Sequence, residues 1–460
     1  MPVSSTHPEY DKYVAEWQRN QIAFDGEMAI KDNAKDFYPE FTPTDTERYE
    51  AVIKSSYFKE VTSRTVIGLQ GSVFRKDPTV ELPARLSYMA EDADGMGNSL
   101  IQMAKSSFNQ LMLKGRELLL VDMPPVPEGA TSAQVDSLNL RPAICKYTAE
   151  SIINWQTVRI GSKTLLSMLV LKESYDAGHE DEYTENTQTR YRVYRLMEDG
   201  VWVSLYDNGG KSIDEPYQPL MSDRSPWRVI PAVFIGSESN TTNVDKPPIS
   251  GVASINIAQY RNIVDHEENL HMHGQLTAGV TSDMSNAQWQ EIHGSGFRLG
   301  SHVVQFLGQN GGFHQLQVPE NSALANAIKE KDDTMVMLGA RLITPITANE
   351  TVDGVAMRAG AEMSILHTVV GNISEAYEQA LEYAGMFIGA DSDAVKFQLN
   401  TEFFALNLPP QAIMAIIQLR DMGDIAQSDL RNLLRKSDLL SQDRTDEEID
   451  NEVAQNPPGL

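Results

Sequence analysis

The chain has 460 residues, of which 38 are Lys or Arg and 64 are Asp or Glu, leaving a formal net charge of −26. Hydrophobic residues make up 41% and charged residues 22%, a folded-protein composition that excludes a disordered chain. The charge excludes a coat for duplex DNA or an anionic membrane surface, since both are bound by Lys and Arg.

Residues 8–57 read as helical, with Tyr13, Trp17, Ile22 and Phe24 among charges and Pro39 and Pro43 as breaks. Residues 64–74 read as β-rich with two glycines. An amphipathic helix over 97–113 runs through Lys114-Gly115-Arg116 into a buried-type strand, Leu118 to Val121. From 143 to 236 the period is mostly two, with strands expected at 164–173, 190–197, 201–206 and 229–235 and a hairpin turn at Asp199-Gly200. The acidic stretch 173–189 reads as a solvated loop or hairpin tip.

After Lys246-Pro247-Pro248 the texture turns helical. A helix over 249–273 carries Ile257, Tyr260, Val264 and Leu270 on one face. A Gly-punctuated insert, 275–318, follows, with a short helix near 286–292 and strand-like pieces at 301–307 and 313–318. A second helix covers 320–340, and a loop-like segment runs from 341 to 361. The longest predicted helix, 363–388, keeps Leu366, Val369, Val370, Ile373, Tyr377, Ala380, Leu381, Ala384 and Phe387 at a 3.6-residue period. A strand is expected at Val395–Asn400. In the tail, Pro409-Pro410 opens a helix closed by Gly423, Ser428-Asp429 opens another, and Thr445 with Glu448 forms a capping box for a third.

Chemistry-bearing patterns are few. His266 and His271 are five residues apart, and a helical zinc pair needs four, so a metalloenzyme built on them is the weak alternative. Asp92-Ala93-Asp94-Gly95-Met96-Gly97 mimics a calcium loop, but Met96 and Met103 stand where ligands belong, so it reads as an acidic turn before a helix. No Walker A, G-x-G-x-x-G or G-x-S-x-G sequence occurs. Cys145 is the one cysteine, which excludes an internal disulfide and a multi-Cys zinc site, and it reads as structural. Trp155, Trp202 and Trp227 read as core anchors. No stretch reaches the ~18 apolar residues of a membrane span, and the first residues lack the pattern of a secretory signal. The expectations are a reducing compartment, chance glycosylation matches at Asn240, Asn349 and Asn372, no catalytic, cofactor or metal residues, and an α+β protein that is not an enzyme.

Several stretches resemble the wing region of one bacteriophage portal family, first recorded as a domain of unknown function. They are Ser63 to Lys76 with Pro78 and Leu82-Pro83, Gly115-Arg116 through Asp122 to Pro124, Tyr147 to Trp155, Lys246-Pro247-Pro248, and Asn256-Ile257-Ala258-Gln259-Tyr260-Arg261. The order of segments resembles the head-to-tail connector as a whole. That resemblance implies a portal-like fold with an α/β wing (1–247), stem helix 1 (248–274), an αβ clip (275–318) and stem helix 2 (319–340). After these come a tunnel loop (341–362), a long helix with a return strand of the wing (363–404) and a helical crown and tail (405–460). It implies a virion protein assembled in the host cytoplasm as a homo-oligomeric ring of twelve, with duplex DNA passing through without sequence specificity. Its implied partners are the major capsid protein, the terminase large subunit, head-tail adaptor or tail proteins and scaffolding protein, with no membrane and no cofactor. The alternative in the same class is another virion ring or adaptor.

On this reading Asn349, Glu350, Asp353 and Arg358 are channel-lining candidates, and of these only Arg358 attracts phosphate. Trp289 and Phe306 are candidates for docking at the clip, or form its own small core. Arg431, Arg435 and Lys436 make a basic stripe in the crown, expected to face DNA or to pair with the acidic stretch Asp446 to Asp450.

Overall fold

A computed structural model describes residues 2–40, 45–124, 138, 140–176, 178, 186–274, 277–294, 306–316, 322–339, 352–391, 394–401, 403, 410–437, 439–441 and 444–455. The chain divides into two compact units. One comprises Met1–Trp17, Val66–Pro248 and Pro345–Leu460, the other Gln18–Thr65 and Ile249–Thr344. Residues 18–65, within the predicted wing, thus group with Ile249–Thr344.

The N-terminal part is helical as expected: α1 (Pro8–Asp25), α2 (Glu27–Asp32), α3 (Ala34–Phe37) and α4 (Thr46–Ser55). Residues 64–74 are not a strand. They lie in α5 (Val61–Val73), where Thr62, Val66, Leu69 and Val73 are all buried at helical spacing. β-branched side chains favour strands in isolation, but burial along a 3.6-residue stripe overrides that preference.

In the first unit, β1 (Thr79–Glu81) and a 3-10 turn (Ala84–Ala90) lead to α6 (Leu100–Lys114), which Ser99 and Gln102 cap reciprocally. The helix ends at Gly115, with φ of 67°, where an added Cβ would stand 2.4 Å from the Asp245 carbonyl oxygen, so only glycine fits. β2 (Arg116–Asp122) then runs between β3 (Ala143–Thr148) and β8 (Ala232–Gly236), antiparallel to both, and its central position buries six consecutive residues. β4 (Ile152–Ile160), β5 (Lys163–Asp176), β6 (Thr187–Met197) and β7 (Gly200–Asp207) form an antiparallel meander in chain order. Its last turn is Glu198-Asp199, because Met197 already pairs with Gly200.

On one face of that meander the Glu173 carboxylate accepts hydrogen bonds from Tyr147 Oη at 2.5 Å and from Nε of Arg190 and Arg192, each at 2.7 Å. Arg192 Nη1 also reaches Asp122 at 2.7 Å. Burial alone would push the Glu173 carboxyl up, but Arg192, Tyr147 and Arg190 hold it below the ordinary 4.5.

The second unit is built on α7 (Ser250–Gly274) and α9 (Ser322–Met337), which flank β9 (Thr277–Thr281), α8 (Asn286–His293) and β10 (Gly312–Leu316). Gln259 of α7 meets Ile328 and Asp332 of α9, and Gly251 lies against Leu338, so the two helices run antiparallel. The motif Asn256 to Arg261 is the clamp of this unit. Asn256, fully buried, accepts from Thr62 N (3.1 Å) and Thr62 Oγ1 (2.9 Å) and donates to the Lys59 carbonyl (2.8 Å). Gln259 donates to Asp332 Oδ1 at 2.6 Å, and Lys59 Nζ takes the other Asp332 oxygen at 2.6 Å. Ile257 and Tyr260 join Ala23, Ile30, Phe37 and Phe58 in the core, while Arg261 donates to the Phe37 carbonyl at 2.6 Å.

The longest helix is α10, Val352–Ile388, which begins eleven residues before its predicted start. The second half of the predicted tunnel loop is therefore helical. All nine of its predicted stripe residues are buried, and Gly371 and Gly385 lie within one unbroken helix. β11 (Lys396–Gln398) returns to pair with β1. The tail folds as α11 (Pro410–Met422), α12 (Gln427–Lys436) and α13 (Asp446–Gln455), with Thr445 and Glu448 exchanging cap hydrogen bonds at 3.2 and 3.0 Å. Residues 456–460, expected to be disordered, lie outside the described residues.

Two outcomes test this account. Asn256→Leu removes the acceptor of the buried Thr62 N–H and hydroxyl, and should cost about 2–3 kcal/mol of stability in urea denaturation. Glu173→Gln takes the carboxylate from Arg190 and leaves Arg192 with Asp122 alone, and should cost about 3 kcal/mol at pH 7. A carboxyl held low stabilises fully above its unfolded value and loses that contribution as pH falls through the folded one. Thermal melts between pH 3 and 7 should therefore show the wild-type advantage shrinking below pH 4.5.

Candidate functional site

Among the described residues no three His, Cys, Asp or Glu side chains converge as a metal site. His266 and His271 sit on the continuous helix α7, and five residues separate two side chains by about 140° around the axis. The Asp92–Gly97 turn uses its carboxylates internally. Asp92 accepts from Gly97 N at 2.8 Å, and Asp94 from Met96 N at 2.9 Å and Asn98 Nδ2 at 2.7 Å. Burial pushes the Cys145 thiol up to about 11, which keeps it protonated at neutral pH. No helix among the described residues is long and apolar enough to cross a membrane.

The tryptophans divide. Trp227 is buried against Phe387 and Tyr383, with ring centroids 4.8 and 5.6 Å away. Trp155 is buried and stacked on both His7 and Arg116. Trp202 is only half-buried, and its indole N–H donates to Asp199 at the hairpin turn. The Asn240 and Asn372 amides are engaged inside the fold. Asn240 donates to the Asn372 carbonyl at 2.9 Å, and Asn372 to the Gly236 carbonyl at 2.8 Å.

The insert between α7 and α9 is the unusual element. β9 pairs with β10 over five residues, a strand that the small, glycine-containing sequence 277–281 did not reveal. Ser285 and Gln288 cap α8 reciprocally, and the Trp289 ring lies 4.3 Å from that of His293. His293 Nε2 is 2.8 Å from the Phe306 carbonyl oxygen, yet the Phe306 side chain is 60% exposed. None of the insert's described side chains is buried. Of the predicted strand piece at 301–307, residues 301–305 lie outside the described residues, and 306 and 307 are not in a strand.

Of the channel candidates, Asn349 and Glu350 lie outside the described residues. Asp353 and Arg358 fall in the first two turns of α10. In the tail helices, Arg431 pairs with Asp450 and lies 4.0 Å from Asp446, while Arg435 pairs with Asp446 and donates to the Arg444 carbonyl at 2.9 Å. These two arginines thus hold α12 to α13. Lys436 is the last residue of α12.

An open groove of about 790 Å³ runs between α10 and β11 and is lined by Glu81, Glu375, Glu378, Glu382 and Lys396. Its carboxylates repel phosphate.

Residues 248–388 match the family model described as a domain of unknown function (DUF4055). No curated protein matches the chain. Among solved structures, the chain is similar to one in the virion of a native gene transfer agent particle, at 12% identity and a TM-score of 0.41, covering 86% of this chain and 94% of that one. It is similar to a chain in the neck of the native gene transfer agent particle computed with C12 symmetry, at 12% identity and a TM-score of 0.41, covering 81% and 89%. It is also similar to an HK97 family phage portal protein from Corynebacterium diphtheriae, at 11% identity and a TM-score of 0.33, covering 80% and 98%. The family match spans the segment from α7 to the end of α10, where the sequence resemblance places stem, clip, tunnel loop and long helix.

Proposed function

We propose that this chain is the subunit of a portal ring, a homo-oligomeric channel of twelve copies at the unique vertex of a virion capsid. Duplex DNA passes through it during packaging and ejection. The observation that carries this reading is the insert 277–316. It stands between two antiparallel helices, has regular secondary structure, and buries none of its described side chains. A β-pair and a short helix with no buried side chain among the described residues gain little stability alone. They require a second surface, and closed rings supply one by repeating a heterologous contact.

In this reading the insert is the clip, with Trp289 and Phe306 facing the terminase large subunit during packaging and an adaptor or tail protein afterwards. The segment around Asn349, Glu350, Asp353 and Arg358 faces the channel. The wing meets the major capsid protein, with scaffolding protein during assembly, and the ATP-driven chemistry belongs to the terminase. The net charge of −26 suits a conduit, because carboxylates keep the phosphate backbone sliding rather than bound.

Negative-stain microscopy and native mass spectrometry of the purified chain should show closed rings of twelve, or of thirteen when it is expressed alone. Monomers and dimers only, at micromolar concentration, would overturn the proposal. Filter binding to free duplex at two salt concentrations should show weak, sequence-independent retention with a shallow salt slope. It should be unchanged in an Arg431→Glu, Arg435→Glu variant whose ring is intact, since those side chains are occupied by α13.

A further inference from the structure

The first described residues lie along the edge of β4, the outer strand of the meander. His7 N donates to the Ile153 carbonyl at 2.8 Å, and Asn154 Nδ2 donates to the Ser5 carbonyl at 2.9 Å. Val3 packs on the cluster of Ile153, Val170, Tyr191 and Val193. At the end of this segment, His7 occupies the N-cap position of α1. The backbone N–H of Glu9 points at His7 Nδ1 at 3.2 Å. A backbone N–H can only donate, so Nδ1 must accept and carries no proton in this arrangement.

The ring of His7 lies flat on Trp155, with centroids 3.9 Å apart and planes 20° apart. The Arg116 guanidinium lies 3.8 Å from the centroid of the same indole. Two groups this close to one ring centre must take opposite faces, so the indole is held between an imidazole and a guanidinium, with Phe234 4.5 Å beyond the latter. Arg116 is 1% exposed, and among the described residues none of its three nitrogens has a hydrogen-bond partner.

We propose that His7 is an acid-sensitive latch: neutral, it caps α1 and seals the indole of Trp155, and protonated, it releases residues 2–7 from the edge of β4. Protonation at Nδ1 sets an N–H against the Glu9 N–H and breaks the cap. It puts positive charge at the positive end of a helix. It also puts a second cation across the indole from a buried, unpaired guanidinium. Every charged group nearby enters the balance. Glu9 and Asp11, in the first turn of α1, favour the charged ring, and Arg116 opposes it. Glu150 pairs with Lys114 at 2.8 Å, and Asp245, which favours the charged Arg116, accepts from Glu238 N and Ser239 N. Burial and Arg116 outweigh the two acids and hold His7 below its ordinary 6.5. A histidine held low stabilises the docked segment fully above pH 6.5 and loses that contribution as the pH falls.

The test is hydrogen exchange of the full-length protein between pH 5 and 8, corrected for intrinsic rates and read on peptides covering 2–11 and 152–160. Wild type should lose protection in both peptides below pH 6.5. His7→Asn, which caps a helix but does not titrate in this range, should show protection independent of pH, whatever its absolute level. Arg116→Met should make the wild-type loss shallower. Protection in wild type that does not change with pH, or a loss equally large in His7→Asn, would overturn the proposal.

Discussion

The apolar stripe of α10 is the constraint on which the first unit depends. Leu366, Val369, Val370, Ile373, Ala376, Tyr377, Ala380, Leu381, Ala384 and Phe387 are all buried. The helix meets β2, β8, β11 and α6 along that stripe. Midway, Tyr377 shares a hydrogen bond of 2.9 Å with Ser107 of α6 and stacks on Phe397 of β11 at 5.1 Å. A small residue at every third or fourth position lets sheet and helix approach, and a large one fixes their register. Shifting this helix by one residue would disengage several layers at once.

The second unit uses a different device for the same end. Its long helix α7 carries amides, Asn256 and Gln259, where the pattern alone asks for hydrocarbon. A buried amide tolerates only the partners that satisfy it. Asn256 therefore specifies Thr62 and Lys59, and Gln259 specifies Asp332, in a way that Ile257 and Tyr260 cannot. Hydrophobic contact supplies most of the stabilisation, and the amides select one arrangement among many that would bury similar area.

This division of labour explains what could be read in advance. Elements with one clean period were legible: the stripe of α10, the alternation of β5 to β8, the amphipathic helix α6 and the tail helices between Pro410 and Gln455. α5 was misread because Thr65, Val66 and Ile67 are strand formers whose burial follows a helical period. β9 was missed because Thr277 to Thr281 has no large apolar residue to mark a face. Asn256 to Arg261 stood out only through its resemblance to a family. Its physical content, four side chains in the motif aimed at partners near residues 37, 56, 62 and 332, depends on contacts some 70 to 220 residues away in sequence. His7 carried no sequence signal, since a histidine before a proline and an acidic turn is ordinary until Trp155 and Arg116 are placed beside it.

The distribution of charge completes the picture. The chain's excess of acids is not spread evenly over its cations. Arg190 and Arg192 are spent on Glu173 and Asp122, Lys59 on Asp332, Arg48 on Glu268, and Arg431 and Arg435 on Asp446 and Asp450. Most of these pairs join segments distant in sequence, so the cations act as fasteners within the fold. Each fastener removes one cation and one anion from the outward field in equal number, so the net −26 is carried by carboxylates without such a mate. Glu81, Glu375 and Glu378 line one groove against a single lysine. A surface prepared in this way attracts no polyanion at long range, and it resists close approach more strongly as ionic strength falls. In the portal role proposed above, where a ring would enclose DNA without holding it, spending cations on the fold itself is the arrangement electrostatics favours.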